Sequence, residues 1–195
     1  MLVNERRLMI ASALLFTAPF IPMVFQGEEW DASSPFLYFT DLEDKYLGKA
    51  VSKGRREEFA AFGWNPEEIP DPQAEETFER SRLDWDEIRQ EPHASILAWY
   101  REFIRLRRSW PDLKDGDLCR VSVEYDEDEE WIVVTRGSIV AACNLSGHER
   151  TLPLPGTGER TVILSSGSDL TFREDEIILP GESVAILKSL HVNGI

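Results

Sequence analysis

Cysteine and histidine are scarce, with two of the first and three of the second in 195 residues. Cys119 and Cys143 are too few to staple a secreted scaffold. Both fall in expected strands and read as small buried hydrophobes of a reducing, cytoplasmic compartment; a disulfide across paired strands is the alternative. His93, His148 and His191 stand singly without ligand spacing, so no histidine-built metal site is expected, and no cofactor is implied. Positive charge is short as well: 21 Lys and Arg against 36 Asp and Glu leave a net charge of −15. Phosphate backbones and anionic lipid surfaces need clustered cations, so nucleic acid and membranes are poor partners. A neutral ligand such as a saccharide is indifferent to this field.

Charge is missing altogether between Leu8 and Phe25, with Arg6 and Arg7 in front, a pattern that imitates a signal peptide or a membrane span. Pro19 and Pro22 forbid one continuous helix there. The stretch divides into a helix over Asn4–Thr17, apolar round most of its circumference, and a short buried strand, Met23–Gln26. A helix, a turn and a buried strand form the second half of an α/β unit of a parallel sheet, and one unit cannot close a sheet. Read literally, residues 1–26 belong to a larger α/β domain, and when that domain is absent they are expected either to self-associate through their apolar surface or to fold differently from the parent domain.

That strand runs into Gly27, Glu28, Glu29 and Trp30, which places two carboxylates and an indole at a sheet edge. Carboxylates accept hydrogen bonds from sugar hydroxyls, and an indole face packs on the C–H face of a pyranose. On the motif alone these residues read equally as solvated loop charges beside a core tryptophan. Neighbouring side chains of an extended segment point opposite ways, so Glu28 and Glu29 do not flank one bond from a common wall.

The segment from Asp31 to Glu91 is rich in proline, charge and aromatics, too aromatic for a disordered linker. A long ordered loop of this kind is usually a lid or rim. A short helix is expected within Gly48–Phe62 and a helical turn within Ser81–Glu91. Pro92–Trp110 carries the clearest helical periodicity, with Ile96, Tyr100, Phe103, Ile104 and Arg107 on the inner face. Arg105, Arg107 and Arg108 complement the negative end of its dipole. After Gly116 seven short alternating runs follow: Leu118–Tyr125, Trp131–Thr135, Ile139–Asn144, Glu149–Leu154, Thr161–Ser165, Glu176–Leu179 and Ser183–Leu187. They predict an antiparallel β-sandwich. The acidic block Asp126–Glu130 reads as a solvated hairpin tip that discourages edge pairing.

The apolar helix, PFIPMVFQGEEW, SSPFLYFTDL, GRREEFAAF, PDPQAEETFERSRLDW and HASILAWYREFIRLRRSWPDL together resemble the C-terminal third of the malto-oligosyltrehalose trehalohydrolase family, within the α-amylase superfamily of glycoside hydrolases. GEEW alone is weaker, since branching enzymes of that superfamily carry similar text. The resemblance implies the end of a (β/α)8 TIM barrel over residues 1–113, its seventh helix at Asn4–Thr17, its eighth strand at Pro22–Gln26 and its eighth helix at Pro92–Trp110. Residues 114–195 would be the superfamily's C-terminal β-domain. Gln26, Glu28, Glu29 and Trp30 would then lie at the face where such barrels hold their sites, as substrate-binding residues for a malto-oligosaccharide or trehalose-capped glucan. The family's catalytic carboxylates lie after the fourth, fifth and seventh strands, so no catalytic residue is expected here and the chain is expected to be inactive alone. A non-catalytic carbohydrate-binding or structural module is the competing reading.

Overall fold

A computed structural model describes residues 3–156 and 158–189; His191 and Leu190 lie outside them. The helix α1, Glu5–Thr17, starts at Asn4, whose side chain accepts from the Arg7 N–H at 2.9 Å. Glu182 ties this first turn down by accepting from Asn4 Nδ2 at 2.8 Å and Arg7 Nε at 2.5 Å. One face of α1 is buried through Ile10, Ala13 and Phe16, while Ala11 is exposed. The apolar circumference is therefore only partly covered.

The expected strand Met23–Gln26 does not form; Met23–Phe25 carry no regular secondary structure and Gln26 enters a turn. A strand needs neighbouring N–H and C=O groups, and among the described residues no strand pairs with these. Nor is the segment buried: Phe20, Ile21, Met23 and Phe25 are 50–94% exposed.

Contacts group the chain into two compact units, Met1–Trp30 with Glu91–Ile195, and Asp31–Gln90. The proposed division at 113/114 concerns descent from a larger domain and is a separate matter. In the second unit α2 spans Lys45–Ala61, longer than expected, because Asp44 caps it through the N–H groups of Tyr46 and Leu47 at 2.8 and 3.2 Å. A further short helix, α3, covers Glu75–Arg80, and Glu87–Arg89 forms a 3₁₀ turn inside the expected helical stretch.

In the first unit α4 spans His93–Ser109, with Ile96, Trp99, Tyr100, Phe103 and Leu106 buried. Ile104, expected inside, is 44% exposed, since Phe103 and Leu106 hold the covered face. Pro111 does not merely stop this helix; it opens a single turn, α5, Pro111–Lys114.

Eight strands follow: β1 Val121–Asp126, β2 Trp131–Arg136, β3 Ile139–Asn144, β4 Arg150–Pro153, β5 Arg160–Ser165, β6 Thr171–Arg173, β7 Glu176–Leu179 and β8 Ser183–Ser189. They make a five-stranded sheet, β1-β2-β3-β8-β5, and a three-stranded sheet, β4-β7-β6, antiparallel throughout. Along β3 the side chains alternate between two cores. Ile139, Ala141 and Cys143 face α1 and α4, whereas Val140 and Ala142 meet Leu152, Ile177 and Leu179 of the smaller sheet. The larger sheet is thus covered on both faces, and its central strands read as continuous apolar runs for that reason.

Cys119 corrects its expectation: Asp117 caps a 3₁₀ turn over Leu118–Arg120, which leaves the thiol exposed and outside the sheet. Both cysteines are free. Burial among apolar side chains pushes the Cys143 thiol up to about 12.

The β2–β3 turn is locked by Asp112, whose Oδ2 accepts from Ser138 N at 3.0 Å and Ser138 Oγ at 2.6 Å. Gly137 sits there at φ +56°, and a Cβ would fall 2.4 Å from Asp112 Oδ1, so only glycine fits. Burial pushes the Asp112 carboxyl up, but the two Ser138 hydrogen bonds, with Arg120 and Arg136 nearby, outweigh it and hold the group below its ordinary 3.8. Asp115 is held down by the Asp117 N–H and by Arg120, and Glu182 by Asn4 and Arg7. Each carboxylate binds protons more weakly folded than unfolded, so its contribution is complete above the unfolded value and fades as pH falls through the folded one. Melting temperature is therefore expected to drop as pH falls below 4.5, the ordinary value for Glu182. Asp112→Asn should flatten that dependence in thermal melts between pH 3 and 6.

Candidate functional site

The C-terminus of α1 is gripped by two arginines. Arg107 of α4 donates through Nη1 to Phe16 O at 2.6 Å and Ala18 O at 3.0 Å, and through Nη2 to Phe20 O at 2.5 Å. Arg136 of β2 donates through Nη1 to Thr17 O at 2.9 Å and Ala18 O at 2.8 Å, and through Nη2 to Asp115 O. The orphan carbonyls of a helix end are satisfied from two other elements, and the exit of the chain toward Pro22 is fixed. Arg107 thus has a second role beside the dipole interaction expected of it. Burial lowers the pKa of both guanidinium groups.

Beyond Gln26, which is exposed, the chain reverses at Gly27, whose φ of +86° suits glycine. Glu28 N–H donates to Phe25 O at 3.0 Å, and Glu28–Trp30 closes a 3₁₀ turn against α4. The four expected site residues stand in different circumstances. Glu28 Oε1 accepts from the Tyr100 hydroxyl at 2.8 Å and Oε2 from the Phe25 N–H at 3.0 Å, so this carboxylate already holds the turn together. Burial, then the Glu28 hydrogen bond, raise the Tyr100 pKa, and the phenol stays a donor at all ordinary pH. Glu29 is half-buried, with Oε2 enclosed and lacking a hydrogen-bond partner among the described residues. Trp30 is 2% exposed and part of the packing. The stacking face expected of its indole is enclosed in this chain.

His93 at the start of α4 completes the arrangement, its Nδ1 lying 2.8 Å from Trp30 O. A carbonyl only accepts, so Nδ1 carries the proton. Sequence reasoning missed Tyr100 and His93 as supports; the signal for Tyr100 was a hydroxyl on the inner stripe of an amphipathic helix, where a phenol needs a partner. Chemically the turn offers one committed carboxylate and one with spare accepting capacity. Among the described residues no group of three or more His, Cys, Asp or Glu is placed to hold a metal ion, and no helix is long and apolar enough to cross a membrane.

Residues 116–186 match the family model described as "Domain of unknown function (DUF3459)". Among solved structures, a Salmonella typhimurium protein assigned as an α-amylase superposes with a TM-score of 0.76 at 31% identity, over 96% of this chain and 31% of that one. Isomaltulose synthase from Erwinia rhapontici NX5 shares the fold at a TM-score of 0.61 and 17% identity, over 94% of this chain and 38% of its own. The architecture is one found within α-amylase-family enzymes.

Within that class the similarity is narrower. The malto-oligosyltrehalose trehalohydrolase of Rhizobium sp. (strain M-11) is 39% identical over 93% of this chain and 30% of its own length. That of Arthrobacter ramosus is 50% identical over 70% of this chain and 23% of its own. The chain is thus a relative of the malto-oligosyltrehalose trehalohydrolases, corresponding to their C-terminal part and spanning less than a third of their length.

Proposed function

We propose that this chain is the C-terminal portion of a retaining α-glycosidase that cleaves malto-oligosyl trehalose and releases trehalose. The observation that carries the reading is identity of 38–50% to several trehalohydrolases. Residues 1–113 would complete a (β/α)8 barrel, with Pro22–Gln26 as its eighth strand, and residues 114–195 would form the β-sandwich beside it. The exposure of Phe20, Ile21, Met23 and Phe25 supports this, since a barrel would supply neighbouring strands to cover them, and among the described residues none pairs with this segment.

Gln26, Glu28, Glu29 and Trp30 would form a rim at the carboxyl end of that strand. Glu29 is the sugar-facing acceptor in this reading, because Glu28 is committed to Tyr100 and Phe25. Trp30 contributes by supporting the turn. The acid and nucleophile that retention requires, about 5 Å apart, would come from the part of the relatives outside this match. Cytoplasmic location accompanies the reading, and self-association of the lone chain would run through residues 1–26.

The test is trehalose release from malto-oligosyl trehalose, assayed with the chain alone and after co-expression with the remaining part of a relative. The chain alone should give no turnover, and the reconstituted pair should give trehalose. Turnover by the chain alone at a rate near that of an intact relative would sink the assignment of the catalytic carboxylates elsewhere.

A further inference from the structure

The unit Asp31–Gln90 contains little core: Ile69 is the only large apolar side chain buried among its described residues. Its aromatics gather on the surface instead. Trp64 is 61% exposed and meets Phe59 edge-on at 5.4 Å. The Arg55 guanidinium lies 4.2 Å from the Phe59 ring centre and 5.1 Å from that of Tyr38, itself 45% exposed. These side chains line a hollow of about 190 Å³. A second hollow of about 590 Å³ is lined by Phe39 and Phe78, whose rings are 5.2 Å apart, together with Thr40, Asp41 and Glu75. Phe36 lines the first hollow and its ring lies 6.2 Å from Phe39 of the second, so the aromatic line is continuous.

We propose that this line is a second glucan-binding site, built on residues other than Glu28–Trp30, and that it takes an α-1,4-linked malto-oligosaccharide with one sugar ring against Trp64 in the smaller hollow. Three physical points favour a sugar. Half-exposed rings offer flat apolar faces to pyranose C–H groups. Arg55, stacked on its rings, keeps N–H edges for hydroxyls, and Thr40, Asp41 and Glu75 supply donors and acceptors along the larger hollow. A neutral ligand also meets no repulsion from a chain of net charge −15, whereas an anionic one would. The choice of an α-1,4-glucan over other sugars rests on the proposed function above.

Calorimetric titration of the 195-residue chain with maltoheptaose tests this, with cellohexaose as the β-linked comparison. Saturable binding of maltoheptaose is expected, weakened about tenfold by Trp64→Ala, restored by Trp64→Phe and unchanged by Glu127→Gln on the exposed hairpin tip. Unaltered circular dichroism of Trp64→Ala would show that an exposed ring, not the fold, was lost. No saturable binding by the unaltered chain would overturn the site, as would binding that Trp64→Ala leaves intact. Either result leaves the trehalose-release reading standing, because the reconstitution assay decides that one independently.

Discussion

Phe103→Ala should destabilise the chain by about 3–5 kcal/mol, a large share of the roughly 5–15 kcal/mol that holds a typical domain together. Phe103 is fully buried where α4 meets α1. Its ring stacks on Phe16 at 5.6 Å with planes 8° apart and meets Trp99 edge-on at 5.1 Å. Truncation removes the transfer free energy of a benzyl group and leaves a cavity between two rigid rings that cannot collapse into it. Ile104→Ala, one residue away and 44% exposed, should change stability by no more than about 0.5 kcal/mol. Urea unfolding followed by tryptophan fluorescence measures both; equal midpoints for the two variants would refute the packing argument.

Arg136→Ala is expected to cost about 2–3 kcal/mol, for a different reason. Arg136 is 3% exposed and serves three carbonyl oxygens, of which Ala18 O keeps Arg107 as a donor while Thr17 O and Asp115 O lose theirs. Against this loss stands the cost of burying a guanidinium beside Arg107, which the lowered pKa of Arg136 records. Arg136→Met separates the two contributions, since it keeps most of the volume and removes the charge. Methionine should lie between wild type and alanine in the unfolding midpoint. Methionine matching or exceeding wild type would mean that desolvation outweighs the hydrogen bonds.

Much of the architecture was legible in the sequence because alternation, capping residues and turn residues act locally. The runs at Trp131, Ile139, Glu176 and Ser183 emerged as strands within a residue or two of their expected ends. Failures came where non-local partners decide. Met23–Gln26 has strand composition but, among the described residues, no neighbouring strand to pair with. Thr171–Arg173 has no apolar alternation to announce it, being exposed at all three positions, and becomes a strand only because β7 offers it an edge. Ile139–Asn144, read as one of the alternating runs, is instead buried on both faces, because α1 and α4 cover the side of the larger sheet away from the smaller one. At the candidate site the residue types of the turn were visible, but the division of labour between Glu28 and Glu29 depends on Tyr100, 72 residues away.

The paired guanidinium clamp on the end of the first helix bears on how relatives can be recombined. Its two arginines lie on either side of residue 114, and both donate to Ala18 O. A chimaera that exchanges the strand-rich half between homologues must inherit arginine at both 107 and 136, or leave carbonyl oxygens at the helix end without these donors. Exchange at that point is therefore constrained by a handful of backbone atoms.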